Sequence, residues 1–148
     1  MAKHSAMVNQ QFAIAVHILT ALACNKKKLM NSDNLAKSAS TNPVVIRRLL
    51  SQLAKAQLVL TRRGKSGGVE LAKESTHINL KDIYLALSPT ESIAPRDKVP
   101  CQECIVSCSM HSIMSSIAEG TQKSMLKYLE TQKLSGLVKK ISKIQPHE

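Results

Sequence analysis

Between Ser32 and Leu71 the order of helix starts, turns and apolar runs leaves few folds open. Asn42 stands directly before Pro43, and Val45, Ile46, Leu49, Leu50, Leu53 and Ala54 then recur at helical spacing to about Gln57. Asn is favoured at a helix start because its side-chain oxygen accepts from first-turn amides, and proline's missing N–H costs nothing there. Upstream, Ser32 or Asp33 can cap a short helix to about Ala39, with Leu35 and Ala36 inward, and residues 40–42 make the turn. A short helix, a tight turn and a longer helix form a helix-turn-helix. Downstream, Leu58 to Thr61 and Val69 to Leu71 read as strands, with three of the five glycines (Gly64, Gly67 and Gly68) between them. That predicts a β-hairpin with a basic, glycine-rich tip, the wing of a winged helix.

The rest of the chain supports such a head and extends it. Phe12, Ala15, Val16, Leu19, Leu22 and Ala23 predict an amphipathic packing helix, and Leu29-Met30 a short strand. Ile78 to Leu80 lead into a fourth helix reaching about Leu87, and Pro89, Pro95 and Pro100 mark residues 88–100 as a loop. From about Ser109 a long helix carries Met110, Ile113, Met114, Ile117, Met125, Tyr128 and Leu129 in one stripe past Gly120. Ser135 can cap a last helix bearing Leu137, Val138 and Ile141. The expected class is mainly α (α+β). Residues 1–88 form the winged helix-turn-helix head, 89–108 a cysteine-bearing effector loop, and 109–148 a dimerisation helix and a C-terminal helix. The long stripe exceeds what one small core needs, and an exposed seam of that length is a liability unless it pairs. It predicts a homodimer.

Charge points to the partner. The 148 residues carry 21 Lys and Arg against 10 Asp and Glu, and residues 26–66 hold ten of the basic side chains with one acid, Asp33. Such a field suits nucleic acid or an anionic membrane. No apolar run approaches the roughly 18 residues of a membrane span. The expected location is the cytoplasm, where cysteines stay reduced. Only Phe12, Tyr84 and Tyr128 are aromatic and Trp is absent. Single strands are held largely by stacking on aromatic side chains, so duplex DNA is the better fit.

The third helix offers Asn42, Pro43 and Val44 at its start and Arg47 and Arg48 a turn later. In a major groove, Arg grips guanine, Asn adenine, and Val a thymine methyl. At the hairpin tip, Arg62, Lys65, Ser66 and Gly67 suit phosphate contacts and Arg63 suits a minor groove. Gly64-Lys65-Ser66 also spells the end of a phosphate-binding P-loop, but that motif needs glycine where Val59 stands and a strand-to-helix context.

Cys101, Cys104 and Cys108, with His111 following, are separated by gaps of two and three residues. Three cysteines and His111 suit a tetrahedral zinc site; three cysteines with an outside fourth ligand suit an iron–sulfur cluster; the thiols alone suit redox sensing. Cys24, within the first helix, reads as a buried small hydrophobe. His4, His17, His77, His111 and His147 are scattered and no nucleophile elbow is present, so no enzyme emerges.

Four stretches together resemble the Rrf-two family of winged-helix transcription regulators, the family of IscR, NsrR and CymR. They are Phe12 to Ala15, Thr41 to Leu50, Arg63 to Gly68 and Ile78 to Tyr84. The resemblance runs in order over nearly the whole chain. It implies a homodimer joined through the long C-terminal helix and bound to a palindromic double-stranded DNA operator, acting as a repressor. It places Asn42, Val44, Arg47 and Arg48 at base-reading positions and Arg63 at the minor-groove position. It implies an iron–sulfur cluster on Cys101, Cys104 and Cys108, although the gaps here are shorter than in the family's cluster-binding members. The rival functions are a metal or iron–sulfur carrier or redox protein, and an architectural DNA-binding protein without sequence preference.

Overall fold

In the computed structural model the described residues are 5–87, 89, 93 and 101–144. The elements in chain order are helix α1 (Ser5–Cys24), α2 (Ser32–Ser38), α3 (Pro43–Lys55), strands β1 (Val59–Arg62) and β2 (Gly68–Leu71), a 3-10 turn (Ser75–His77), and helices α4 (Leu80–Ala86), α5 (Ile105–Thr131) and α6 (Leu134–Ile144). This is the expected winged-helix arrangement. Most of the proline-bearing stretch 88–100 lies outside the described residues. No described helix is long and apolar enough to cross a membrane.

The core forms where the apolar faces of α1, α2 and α3 meet the hairpin. Ala15, Ile18, Leu19, Leu35, Ile46, Leu49, Leu53, Leu58, Val59, Ile78, Ile83 and Leu134 have almost no solvent exposure. Burying one Leu or Ile side chain contributes about 1.5–3 kcal/mol, so this cluster is what holds the head together. The hairpin is antiparallel, with Val59 opposite Leu71, Leu60 opposite Glu70, Thr61 opposite Val69 and Arg62 opposite Gly68. The strand expected at Leu29-Met30 is a single bridge: Val69 N–H donates to the Met30 carbonyl at 2.8 Å, on the far side of β2 from β1.

Several local expectations need correction. The cap of α2 is Asn31, not Ser32 or Asp33. Its backbone is extended, and its Oδ1 accepts from the Asn34 amide at 2.8 Å. Helix α5 opens at Ile105, a turn before the expected Ser109, which puts Cys108 inside the helix rather than in the effector loop. Its N-cap is Cys104, whose side chain makes no capping bond, so the sequence holds no cap residue to mark the start. Cys24 is exposed rather than buried. As the last residue of α1 it shares the outward face of His17 and Ala13, both exposed, away from Ile18, Leu19 and Leu22.

The stripe along α5 also divides. Ala118 is buried and Met114, Leu126 and Leu129 are half-buried on the helix that packs against α4. Met110, Ile113, Ile117, Met125 and Tyr128 stay exposed, at 43%, 49%, 49%, 37% and 65%. The end of α5 is stitched to the head by backbone. Leu80 N–H donates to the Gln132 carbonyl and Leu134 N–H to the Ile78 carbonyl, both at 2.9 Å. That pairing delivers Leu134 into the core and lays α6 against α1.

Candidate nucleic-acid interface

Helix α3 is sharply two-sided. Ile46, Leu49, Leu50 and Leu53 face the core, which at helical spacing leaves Val44, Arg47, Arg48, Ser51 and Lys55 outside. Val44 is 64% exposed, high for an aliphatic residue beside an otherwise basic face. Asn42 caps the helix: its Oδ1 accepts from the Val44 amide at 2.7 Å and the Val45 amide at 3.3 Å. That oxygen is therefore committed to the fold, and Nδ2 is the part of Asn42 left for an outside partner. Pro43 occupies the first helical position, as the sequence indicated.

The hairpin stands beside this face. Arg63 and Thr61 from the wing and Arg47, Ser51 and Lys55 from α3 line one open groove, so the two expected sites meet on a single surface. Ser51 and Lys55 were not among the sequence-derived candidates. Their signal was present in the spacing, since they follow Arg47 by four and eight residues on the same helical face. Ion pairs among the described residues join Lys26 to Glu74, Arg62 to Glu70 and Lys81 to Glu130. None of these involves Arg47, Arg48, Lys55, Arg63 or Lys65, each of which is exposed. Arg62 differs: its Nε and Nη2 both donate to Glu70 Oε1 at 2.8 Å, holding the side chain along the ribbon.

The glycines of the tip are accounted for by the turn itself. Gly64 has φ +107, a region L side chains rarely adopt, and Gly67 N–H donates back to its carbonyl at 3.0 Å. A Cβ on Gly67 would sit 2.2 Å from the Arg62 carbonyl oxygen. Close approach to phosphate is thus not needed to explain a glycine at either position. Lys65 and Ser66, between them, are exposed at the outermost point of the ribbon.

Cys101, Cys104 and Cys108 are all exposed free thiols. The Cys104 amide donates to the Cys101 carbonyl at 3.1 Å, and the Cys108 amide to the Cys104 carbonyl at 3.1 Å. Ser107 Oγ accepts from the Cys101 amide at 2.9 Å, folding Cys101 back onto the first turn of α5. Cys108 Sγ donates to the Cys101 carbonyl at 3.4 Å. These sulfurs do not converge. Among the described residues no three of His, Cys, Asp and Glu are gathered closely enough to hold a metal ion, so the expected ligand set of Cys101, Cys104 and Cys108, with or without His111, is not assembled. As arranged, the residues do not fit a zinc ion or a cluster: the Cys108 thiol is turned onto a backbone carbonyl.

Comparison with known proteins finds transcriptional regulators. A family model described as "Rrf2: Iron-dependent Transcriptional regulator" matches residues 8–140. YwnA of Bacillus subtilis, named as an HTH-type transcriptional regulator, is 30% identical over 132 residues, 89% of this chain and 97% of YwnA. The HTH-type transcriptional regulator NsrR of Oceanobacillus iheyensis is 25% identical over 130 residues, 86% of this chain and 85% of NsrR. Among solved structures, IscR of T. potens superposes with a TM-score of 0.70 at 22% identity, covering 93% of this chain and 90% of IscR.

Proposed function

The chain belongs to the Rrf2 family of transcriptional regulators, and from that premise we propose that it is a repressor that binds a palindromic double-stranded DNA operator as a homodimer. Residues 101–108 are its signal-responsive segment. One observation carries this reading: Arg47 from α3 and Arg63 from the wing line the same groove, with no acid paired to either among the described residues. A helix end bearing Val44, Arg47 and Arg48 suits the edges of major-groove base pairs, while a ribbon carrying Arg63 suits the adjacent minor groove. Lys55, Lys65 and Ser66 supply phosphate contacts, which set affinity and register without reading sequence.

The dimer is supported by the seam on α5. Met110, Ile113, Ile117, Met125 and Tyr128 are exposed on one long helix, and a second copy would cover them. A two-fold through that seam presents two α3 helices about one duplex turn apart, roughly 34–36 Å, and so calls for an inverted repeat. Occupying such a site excludes other proteins from it, which is the simplest form of repression.

Selection from a pool of random-sequence duplexes tests this. The expected product is an inverted repeat with half-sites about one turn apart, and its complex should survive about a 10³-fold excess of random duplex. If random duplex competes mole for mole, the protein is an architectural binder and the reading is wrong. In a variant with Cys101, Cys104 and Cys108 all replaced by Ser, operator binding should be indifferent to oxidant and nitric oxide. A retained response would remove residues 101–108 from signalling.

A further inference from the structure

The thiols that fail to make a ligand set are arranged for different chemistry. The amide of Cys101 donates to Ser107 Oγ at 2.9 Å, and its carbonyl accepts from both the Cys104 amide and the Cys108 sulfur. The Cys108 sulfur therefore rests against the backbone of Cys101, 3.4 Å from its oxygen, although six residues separate them in sequence. A disulfide requires the Cα atoms within about 4.4–6.8 Å and the Cβ atoms within about 3.5–4.5 Å. Cys101 precedes the helix on exposed, non-helical backbone, and the Cys108 sulfur is hydrogen-bonded to its carbonyl. Cys104 and Cys108 make a poorer pair. They are four residues apart across the first turn, and Cβ atoms so spaced on a helix stand about 5–6 Å apart.

We propose that Cys101 and Cys108 form an intrachain disulfide on exposure to a hydroperoxide, leaving Cys104 as a free thiol. One thiolate attacks the peroxide, the O–O bond breaks, and a sulfenic acid and hydroxide result. The second thiol then displaces the sulfenic oxygen as water, joining the two sulfurs. Overall two thiols and hydrogen peroxide give one disulfide and two waters: the sulfurs are oxidised by two electrons and the peroxide is reduced. A thiol reductant reverses the step. This rests on the reading of residues 101–108 as the responsive segment and names the chemistry within it. The consequence is local: the bond would pin the segment before α5 onto the turn that carries Val106 and Met110, two exposed members of the apolar face.

The test uses the full chain, purified without oxygen, treated with about one equivalent of hydrogen peroxide and then with N-ethylmaleimide. Cleavage after Glu103 separates Cys101 from Cys104 and Cys108, so linked fragments can be read directly by mass. Alkylation should remain at Cys24 and Cys104 and vanish at Cys101 and Cys108. The linkage should persist in Cys104→Ser and be lost in Cys101→Ser and in Cys108→Ser. A Cys101–Cys104 bond, a link between chains, or alkylation of all four cysteines overturns the proposal. So does protein that arrives with iron and sulfide on these thiols. Because the mapping involves no DNA, a chain that forms the bond yet binds no operator counts against the proposed function and leaves this inference standing.

Discussion

Replacing Asn42 separates what the start of α3 does for the fold from what it does for DNA. Its Oδ1 accepts from two amides, at 2.7 and 3.3 Å, so Asn42→Ala leaves both donors without that partner. Loss of an N-cap costs about 0.5–2 kcal/mol, which lowers the thermal midpoint by roughly 2–8 °C. Asn42→Asp keeps an accepting oxygen in the same place, and a carboxylate is further favoured by the positive end of a helix. Its midpoint should match or exceed that of the unsubstituted chain. On DNA the order reverses. A carboxylate about 6 Å from a phosphate, with an effective dielectric between about 80 and 20, costs about 0.7–3 kcal/mol, a loss of about 3- to 100-fold in affinity. Asn42→Ala, which adds no charge, should lose less. The assay is a thermal melt paired with fluorescence-anisotropy titration of the selected duplex at one fixed salt concentration, since affinity varies steeply with salt. An Asn42→Asp protein that melts normally and binds duplex as tightly as the unsubstituted chain would refute the placement of the α3 start against DNA.

Four further substitutions have outcomes set by their local surroundings. Gly67→Ala puts a Cβ 2.2 Å from the Arg62 carbonyl, so the wing tip must shift; overpacking of this kind costs about 1–3 kcal/mol, and duplex affinity should fall while circular dichroism shows the helices intact. Glu70→Gln releases Arg62 from its 2.8 Å pair. An exposed pair is worth at most about 1 kcal/mol, so the melt should hardly move, but affinity for every duplex should rise and the salt slope steepen by about one. Leu134→Ala empties a fully buried position and should cost about 2–5 kcal/mol in a urea titration. Ile144→Ala, 78% exposed at the other end of α6, should stay within about 0.5 kcal/mol.

The head was legible because its signals are local. Asn42 before Pro43, the apolar spacing through Leu53 and the glycines between two strand-like runs each act over a few residues, and each produced the expected element. What escaped the sequence depends on distant partners or on a missing signal. The burial of Leu134 comes from backbone pairing of Ile78 and Leu80 with the α5–α6 junction, more than fifty residues away. The start of α5 carries no Ser, Thr, Asp or Asn at its cap, so nothing distinguished Ile105 from Ser109. Helical periodicity placed Met110 to Leu129 on one stripe but could not say which edge of that stripe meets α4 and which is left open. Cys24 ends a helix whose inner face is so apolar that its own outward position was masked. At the interface, the register pairing Leu60 with Glu70 sets Glu70 diagonally beside Arg62, and cross-strand neighbours at that spacing are within reach of long side chains. Sequence spacing alone grouped the cysteines, whereas the fold turns the Cys108 sulfur onto the Cys101 carbonyl.

The paired-head arrangement is tested most directly by the mass of the protein–duplex complex, measured by light scattering with a single selected operator. Two protomers per duplex, twice the 16.2 kDa of one chain added to the DNA, is the expected result, with Ile117→Asp reducing the free protein to one protomer. A complex of one protomer per duplex, or an Ile117→Asp protein that remains paired, would contradict it.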